Sequence, residues 1–154
     1  MTSAKAILEQ AAQRRETSQL SYAGAVTPDE ALALLQADPN ARLVDVRTRA
    51  ELDWVGRPQV PDGQYVNIEW VRYPGGVPNE QFLEQLKSQS SADTTLLFLC
   101  RSAARSKAAA KLATEAGFTG AYDILEGFEG DKDAQSHRKA VSGWCYRGLP
   151  WIGA

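Results

Sequence analysis

Two cysteines among 154 residues, Cys100 and Cys145, are too few for a disulfide framework. His137 is the only histidine, and no paired ligands at zinc-like spacing accompany it, so no metal is expected. A formal net charge of −2 lacks the basic surplus of general nucleic-acid binding, so no such partner is expected. The longest strongly apolar run, Leu96 to Cys100, falls far short of the roughly 20 residues of a membrane span. Met1-Thr2-Ser3-Ala4-Lys5 has no apolar signal core behind it, and a reducing, cytoplasmic location is the expectation. No repeat, low-complexity segment or linker divides the chain. Its length suits one domain burying roughly 70% of the unfolded surface. The apolar fraction of 44% and charged fraction of 23% are ordinary for a soluble protein.

What the chain does have is concentrated around Cys100. The run Thr95-Leu96-Leu97-Phe98-Leu99 reads as a buried strand, and an alanine-rich helix is expected over about 103–116. Between them lies Cys100-Arg101-Ser102-Ala103-Ala104-Arg105-Ser106. A thiol at that junction is placed to react as a thiolate. Loop N–H groups and the positive end of the helix dipole favour negative charge on sulfur, and Arg101 and Arg105 add full positive charges. This is the most specific chemical signal in the chain.

Other segments supply the frame. Ala4, Ile7, Leu8, Ala11 and Ala12 share a helical face, so residues 1–20 should form an amphipathic helix packed on the outside of the domain. Thr27-Pro28-Asp29-Glu30 and Thr48-Arg49-Ala50-Glu51 are capping boxes that should open helices. Asn79 should cap a helix carrying Phe82, Leu83 and Leu86. Arg42–Val46, Gln64–Ile68 and Ala121–Leu125 read as further short strands. Strands alternating with helices imply an α/β fold whose parallel sheet is covered on both faces. Ligands of such sheets sit beyond the carboxyl ends of the strands, where Asp45 and Cys100 both fall. The tail from Glu126 carries several glycines and Phe128, Trp144, Tyr146 and Trp151, and should wrap back onto the domain.

Leu43-Val44-Asp45-Val46-Arg47 with Glu51-Leu52 resembles the early signature of the rhodanese family. Leu99 through Ser106 resembles that family's catalytic loop, and Gly117-Phe118 through Leu125-Glu126-Gly127 the segment after it. Gly143-Trp144 and Gly148-Leu149-Pro150-Trp151 look like the end of bacterial single-domain members. The likeness implies a three-layer α/β domain over 21–154, with a mainly parallel sheet of about five strands flanked by helices. It also implies sulfurtransferase activity without metal or organic cofactor. Cys100 would take a sulfane sulfur from thiosulfate or a similar small anionic donor, hold it as a persulfide, and pass it to a thiophilic acceptor. That acceptor would be cyanide, a thiol or a thioredoxin-like protein. Alternatives are a persulfide carrier serving a partner protein, and a cysteine phosphatase or arsenate reductase. Those last enzymes use a loop one residue longer; Cys100 through Arg105 is six residues, a ring sized for one sulfur atom.

Residues 101 to 106 would form the substrate cradle: Arg101 attracting the donor, Arg105 closing the loop or touching substrate, Ala103 and Ala104 offering backbone N–H groups. Ser102 and Ser106 offer hydroxyls to the loop and to the helix start, and are read as caps before ligands. Asp45 should brace the site wall by hydrogen bonds, with Arg47 and Arg49 lining the pocket or solvated. A cysteine hydrolase would need His137 beside Cys100. Cys145 is read as an incidental thiol beside Trp144 and Tyr146, the alternatives being to resolve a persulfide or to form a disulfide with Cys100. A monomer or small homo-oligomer is expected.

Overall fold

The computed structural model describes residues 3–153. The chain runs α1 (Ala4–Ser18), β1 (Gly24–Val26), α2 (Pro28–Ala37), β2 (Arg42–Asp45) and α3 (Arg49–Val55). Next come β3 (Arg57–Pro58), β4 (Tyr65–Asn67), β5 (Val71–Arg72), β6 (Val77–Pro78) and α4 (Phe82–Gln89). It finishes with β7 (Leu96–Leu99), α5 (Ala104–Glu115), β8 (Ala121–Ile124) and β9 (Trp151–Ile152). Five strands form a parallel sheet in the order β1-β8-β7-β2-β4. Two antiparallel pairs, β3 with β9 and β5 with β6, stand outside it.

β7 is the middle strand, and its four residues are all buried, as a strand covered on both faces requires. Strand alternation sorts its side chains. Leu96, Phe98 and Cys100 join Val44, Val46 and Ala121 in one core, against Phe82 and Leu86 of α4 and Ala109, Ala110 and Ala113 of α5. Leu97 and Leu99 face the other way, toward Ile7 and Ala11 of α1 and Ala31, Leu34 and Leu35 of α2. The second core also takes Phe128 and Trp144, so the tail packs under the same face as the N-terminal helix. Trp144 anchors the tail by donating its indole N–H to the Pro150 carbonyl at 2.8 Å.

Local chemistry sets the helix starts. Thr27 and Thr48 both form reciprocal capping boxes, with Glu30 and Glu51. α4 begins later than its expected cap, because Asn79 receives the N–H of Gln81 at 3.1 Å and Gln81 becomes the capping position. α5 has no side-chain cap at all: its N-cap is Ala103, at φ +81°. Ser102 and Ser106 therefore do not cap the helix, and Ser106 lies inside it with its hydroxyl turned to the core.

β1 went unread in the sequence because Gly24-Ala25-Val26 has little strand propensity of its own. Glycine is needed there: a Cβ on Gly24 would lie 2.4 Å from the Ala11 carbonyl oxygen, where α1 crosses the strand. Among the described residues, no helix is long and apolar enough to cross a membrane.

Candidate active site

Cys100 is the first residue beyond β7 and is 1% exposed. The chain then turns sharply through Ala103, whose left-handed conformation aims its N–H back at the Cys100 sulfur, 3.0 Å away. For an alanine that conformation costs roughly 1–2 kcal/mol. The contact is what the strained residue gives in return: a backbone donor on the sulfur. A second neighbour, Ser106 Oγ, lies 3.4 Å from Sγ and accepts its proton when sulfur is a thiol.

The tail holds the loop from beneath. Phe128 N donates to the Cys100 carbonyl at 2.8 Å, and Glu129 N and Gly130 N donate to the Arg101 carbonyl at 3.0 and 3.2 Å. In a trans peptide the carbonyl and the following N–H point in opposite directions. The N–H groups of Arg101 and Ser102 are thereby turned away from the tail, and neither meets a protein acceptor among the described residues. Gly127 makes this approach possible: at φ +73°, its added Cβ would stand 2.5 Å from the Arg101 oxygen and 2.7 Å from the Cys100 oxygen. The Ser102 hydroxyl makes no hydrogen bond among the described residues, and Ala104 is exposed.

The three arginines of the expected site have different fates. Arg105 grips Glu51 with both terminal nitrogens, at 2.6 and 2.9 Å, tying the start of α5 to the start of α3. Burial would push the Glu51 carboxyl up, but the Arg105 fork and the Thr48 N–H outweigh it and hold it at about 2. Arg105 is thus an orienting residue in this state. Arg101 is half-exposed and lies 3.0 Å from the buried Glu129 carboxylate, an ion pair without an aligned N–H hydrogen bond. Arg47 is fully buried rather than solvated. It donates to Asp45 through Nε (2.9 Å) and Nη2 (2.7 Å), and its guanidinium lies 4.3 Å from the centre of the Phe128 ring. Asp45 also accepts the Tyr65 hydroxyl at 2.7 Å and the Arg47 N–H at 3.2 Å. Arg49 is a surface residue beside Asp53.

Asp123 belongs to this site and escaped the sequence reading. It pairs in register with Phe98, is fully buried, and accepts the Ser106 hydroxyl at 2.5 Å. Its other oxygen has no hydrogen-bond partner among the described residues. Burial pushes its carboxyl up to about 7, with the Ser106 hydrogen bond and Lys107 countering only in part. The available signal was alternation: Asp123 stands on the Ala121 side of the strand, the face that Cys100 shares.

The remaining candidates lie elsewhere. Both thiols are free, and burial pushes Cys145 up to about 11, so at neutral pH it is a poor nucleophile. His137 is exposed in the tail, its backbone N–H held by Asp133 at 2.9 Å. Among the described residues no group of three or more His, Cys, Asp or Glu side chains is placed to hold a metal ion.

A parallel α/β domain with one cysteine at the end of its central strand, cradled by a short loop, defines a class of thiol-chemistry domain. The comparisons are more specific. A family model described as the STR4 middle domain matches residues 23–154. The rhodanese-like domain-containing protein 4 of Arabidopsis thaliana is 30% identical over 131 residues, 84% of this chain and 26% of that longer protein. An uncharacterised protein of Rickettsia conorii is 33% identical over 125 residues, 79% of this chain and 91% of its own. The crystal structure of Rv0390 from M. tuberculosis superposes with a TM-score of 0.76 at 44% identity, covering 86% of this chain and 99% of that one. The chain belongs to the rhodanese family and is a domain of the sulfurtransferase type.

Proposed function

We propose that the protein is a thiosulfate sulfurtransferase working through a persulfide on Cys100. One observation carries this reading: the Cys100 sulfur ends the central strand inside a six-residue loop, with the Ala103 N–H on it at 3.0 Å. The Cys100 thiolate attacks the outer sulfur of thiosulfate and forms a new S–S bond. The old S–S bond breaks, and its electron pair leaves with sulfite. Charge on the persulfide's outer sulfur falls to the N–H groups of the loop, preorganised donors that need no rearrangement as charge arrives. Cyanide or a thiol then takes that sulfur, and the S–S electron pair returns to Cys100. Storing the sulfur divides one hard transfer into two easier displacements.

Arg101 at the loop draws the dianionic donor, and Arg105 with Glu51 keeps the loop closed. Asp45 and Arg47 brace the neighbouring strand end. Two unpaired thiols fit a reducing cytoplasm, with cyanide, small thiols or a thioredoxin-like protein as acceptor. The test is thiocyanate production from thiosulfate and cyanide, lost in Cys100→Ser. No thiocyanate from the wild type would defeat the reading, and aryl phosphate hydrolysis at a comparable rate would replace it with a phosphatase.

One observation favours a second reading, a persulfide carrier loaded by a partner protein. The Arg101 charge is already engaged by Glu129, which weakens its pull on a free dianion. Slow loading by thiosulfate but rapid loading by a protein persulfide would select the carrier.

A further inference from the structure

The Cys100 thiol is the first member of a buried hydrogen-bond chain. Its proton faces Ser106 Oγ at 3.4 Å, and that hydroxyl donates to Asp123 Oδ1 at 2.5 Å. Asp123 is fully buried, and its Oδ2 has no hydrogen-bond partner among the described residues. A carboxylate with one hydrogen bond and one orphaned oxygen in a closed interior is poorly stabilised as an anion. The groups around it do little to change that. Lys107 of α5 offsets part of the burial, and Tyr22, before β1, is a neutral hydroxyl that burial, and secondarily Asp123, holds up at about 12. β1 and β7, the strands on either side, carry no titratable side chain along their lengths.

We propose that Asp123, acting through the Ser106 hydroxyl, takes up the proton that Cys100 releases and is a positioning residue for the sulfur nucleophile. The inference rests on Cys100 being the sulfur carrier. In the step, the S–H bond breaks as its proton passes to Ser106 Oγ. The Ser106 O–H bond breaks as its own proton passes to Asp123 Oδ1. Two O–H bonds replace those lost, nothing is oxidised or reduced, and the trio carries one negative charge before and after. Sulfur ends as a thiolate beside the Ala103 N–H, and Asp123 ends neutral, as its burial favours. Two negative charges so close repel, so the trio releases its two protons to solvent in separate steps.

Iodoacetamide labelling of Cys100, located by peptide mass across about pH 5 to about 10, reads the thiolate directly. The wild-type rate should rise in two steps around a plateau, the lower near the Asp123 value of about 7. Asp123→Asn should give one step. So should Ser106→Ala, which removes the bridge. A single step in the wild type, or two steps that survive in Asp123→Asn, overturns the proposal. The wild-type profile decides the first outcome even if a variant fails to fold. Labelling uses no sulfur donor, so failure of thiosulfate loading would count against the sulfurtransferase reading and not against the relay.

Discussion

Asp45 and Asp123 are both fully buried, and they sit on the two strands that flank β7, β2 on one side and β8 on the other. Their surroundings differ sharply. Asp45 receives an arginine fork, a tyrosine hydroxyl and a backbone N–H, so both its oxygens are satisfied. Asp123 receives a single hydroxyl and leaves one oxygen orphaned. The same residue type in the same sheet thus serves opposite ends. A carboxylate with a fixed counter-ion is a brace, and one without is a place to keep a proton.

Removing the brace should have the largest effect. Asp45→Ala leaves the buried Arg47 cation without its partner and should cost about 3–5 kcal/mol in urea unfolding. A cost below about 1 kcal/mol would show that Asp45 and Arg47 are not a unit. The opposite side predicts a pH dependence. Because the folded Asp123 carboxyl is raised to about 7, it stabilises the fold fully only below its unfolded value, and that contribution is lost as pH rises toward 7. Relative to Asp123→Asn, the wild type should lose on the order of a few kcal/mol between about pH 4 and about pH 7. Parallel stability curves would contradict this.

Glu51 sharpens the contrast from the brace side. Its carboxyl is depressed to about 2, so its contribution is present above the unfolded carboxylate range and is lost as pH falls toward 2. Glu51→Gln should cost about 1–3 kcal/mol at neutral pH and lower kcat by loosening the Arg105 end of the loop. Unchanged kcat would show that the loop keeps its shape without that pair. The smallest effect belongs to Arg101→Ala. Arg101 is half in water, but its loss leaves the buried Glu129 carboxylate without a counter-ion, so stability should fall by about 1 kcal/mol, well short of the fully buried pair. The thiosulfate KM should rise several-fold, and an unchanged KM would remove Arg101 from donor binding.

Much of this was legible from residue types. Four strands of the parallel sheet, the two capping boxes and the strand-loop-helix setting of Cys100 follow from local pattern and short apolar runs, whereas the count of five strands comes from the family resemblance. β1 did not, because Gly24-Ala25-Val26 is held by its register with β8 and by the crossing of α1, both nonlocal. The same applies to the loop's support. Nothing local to Gly127 announces that its backbone lies against the carbonyls of Cys100 and Arg101. Arg105 could be read as orienting or substrate-binding until Glu51, far away in sequence, was found in its fork. Asp123 was hidden by its strand, where one polar residue among apolar ones looks like noise until its facing helix is known.

Intact-mass measurement of the protein before and after thiosulfate, with the adduct located by peptide mapping, tests the central claim most directly. One added sulfur atom on the Cys100 peptide, removed by cyanide and absent from Cys100→Ser, is the result expected. An unmodified Cys100, or sulfur found on Cys145 instead, would contradict it.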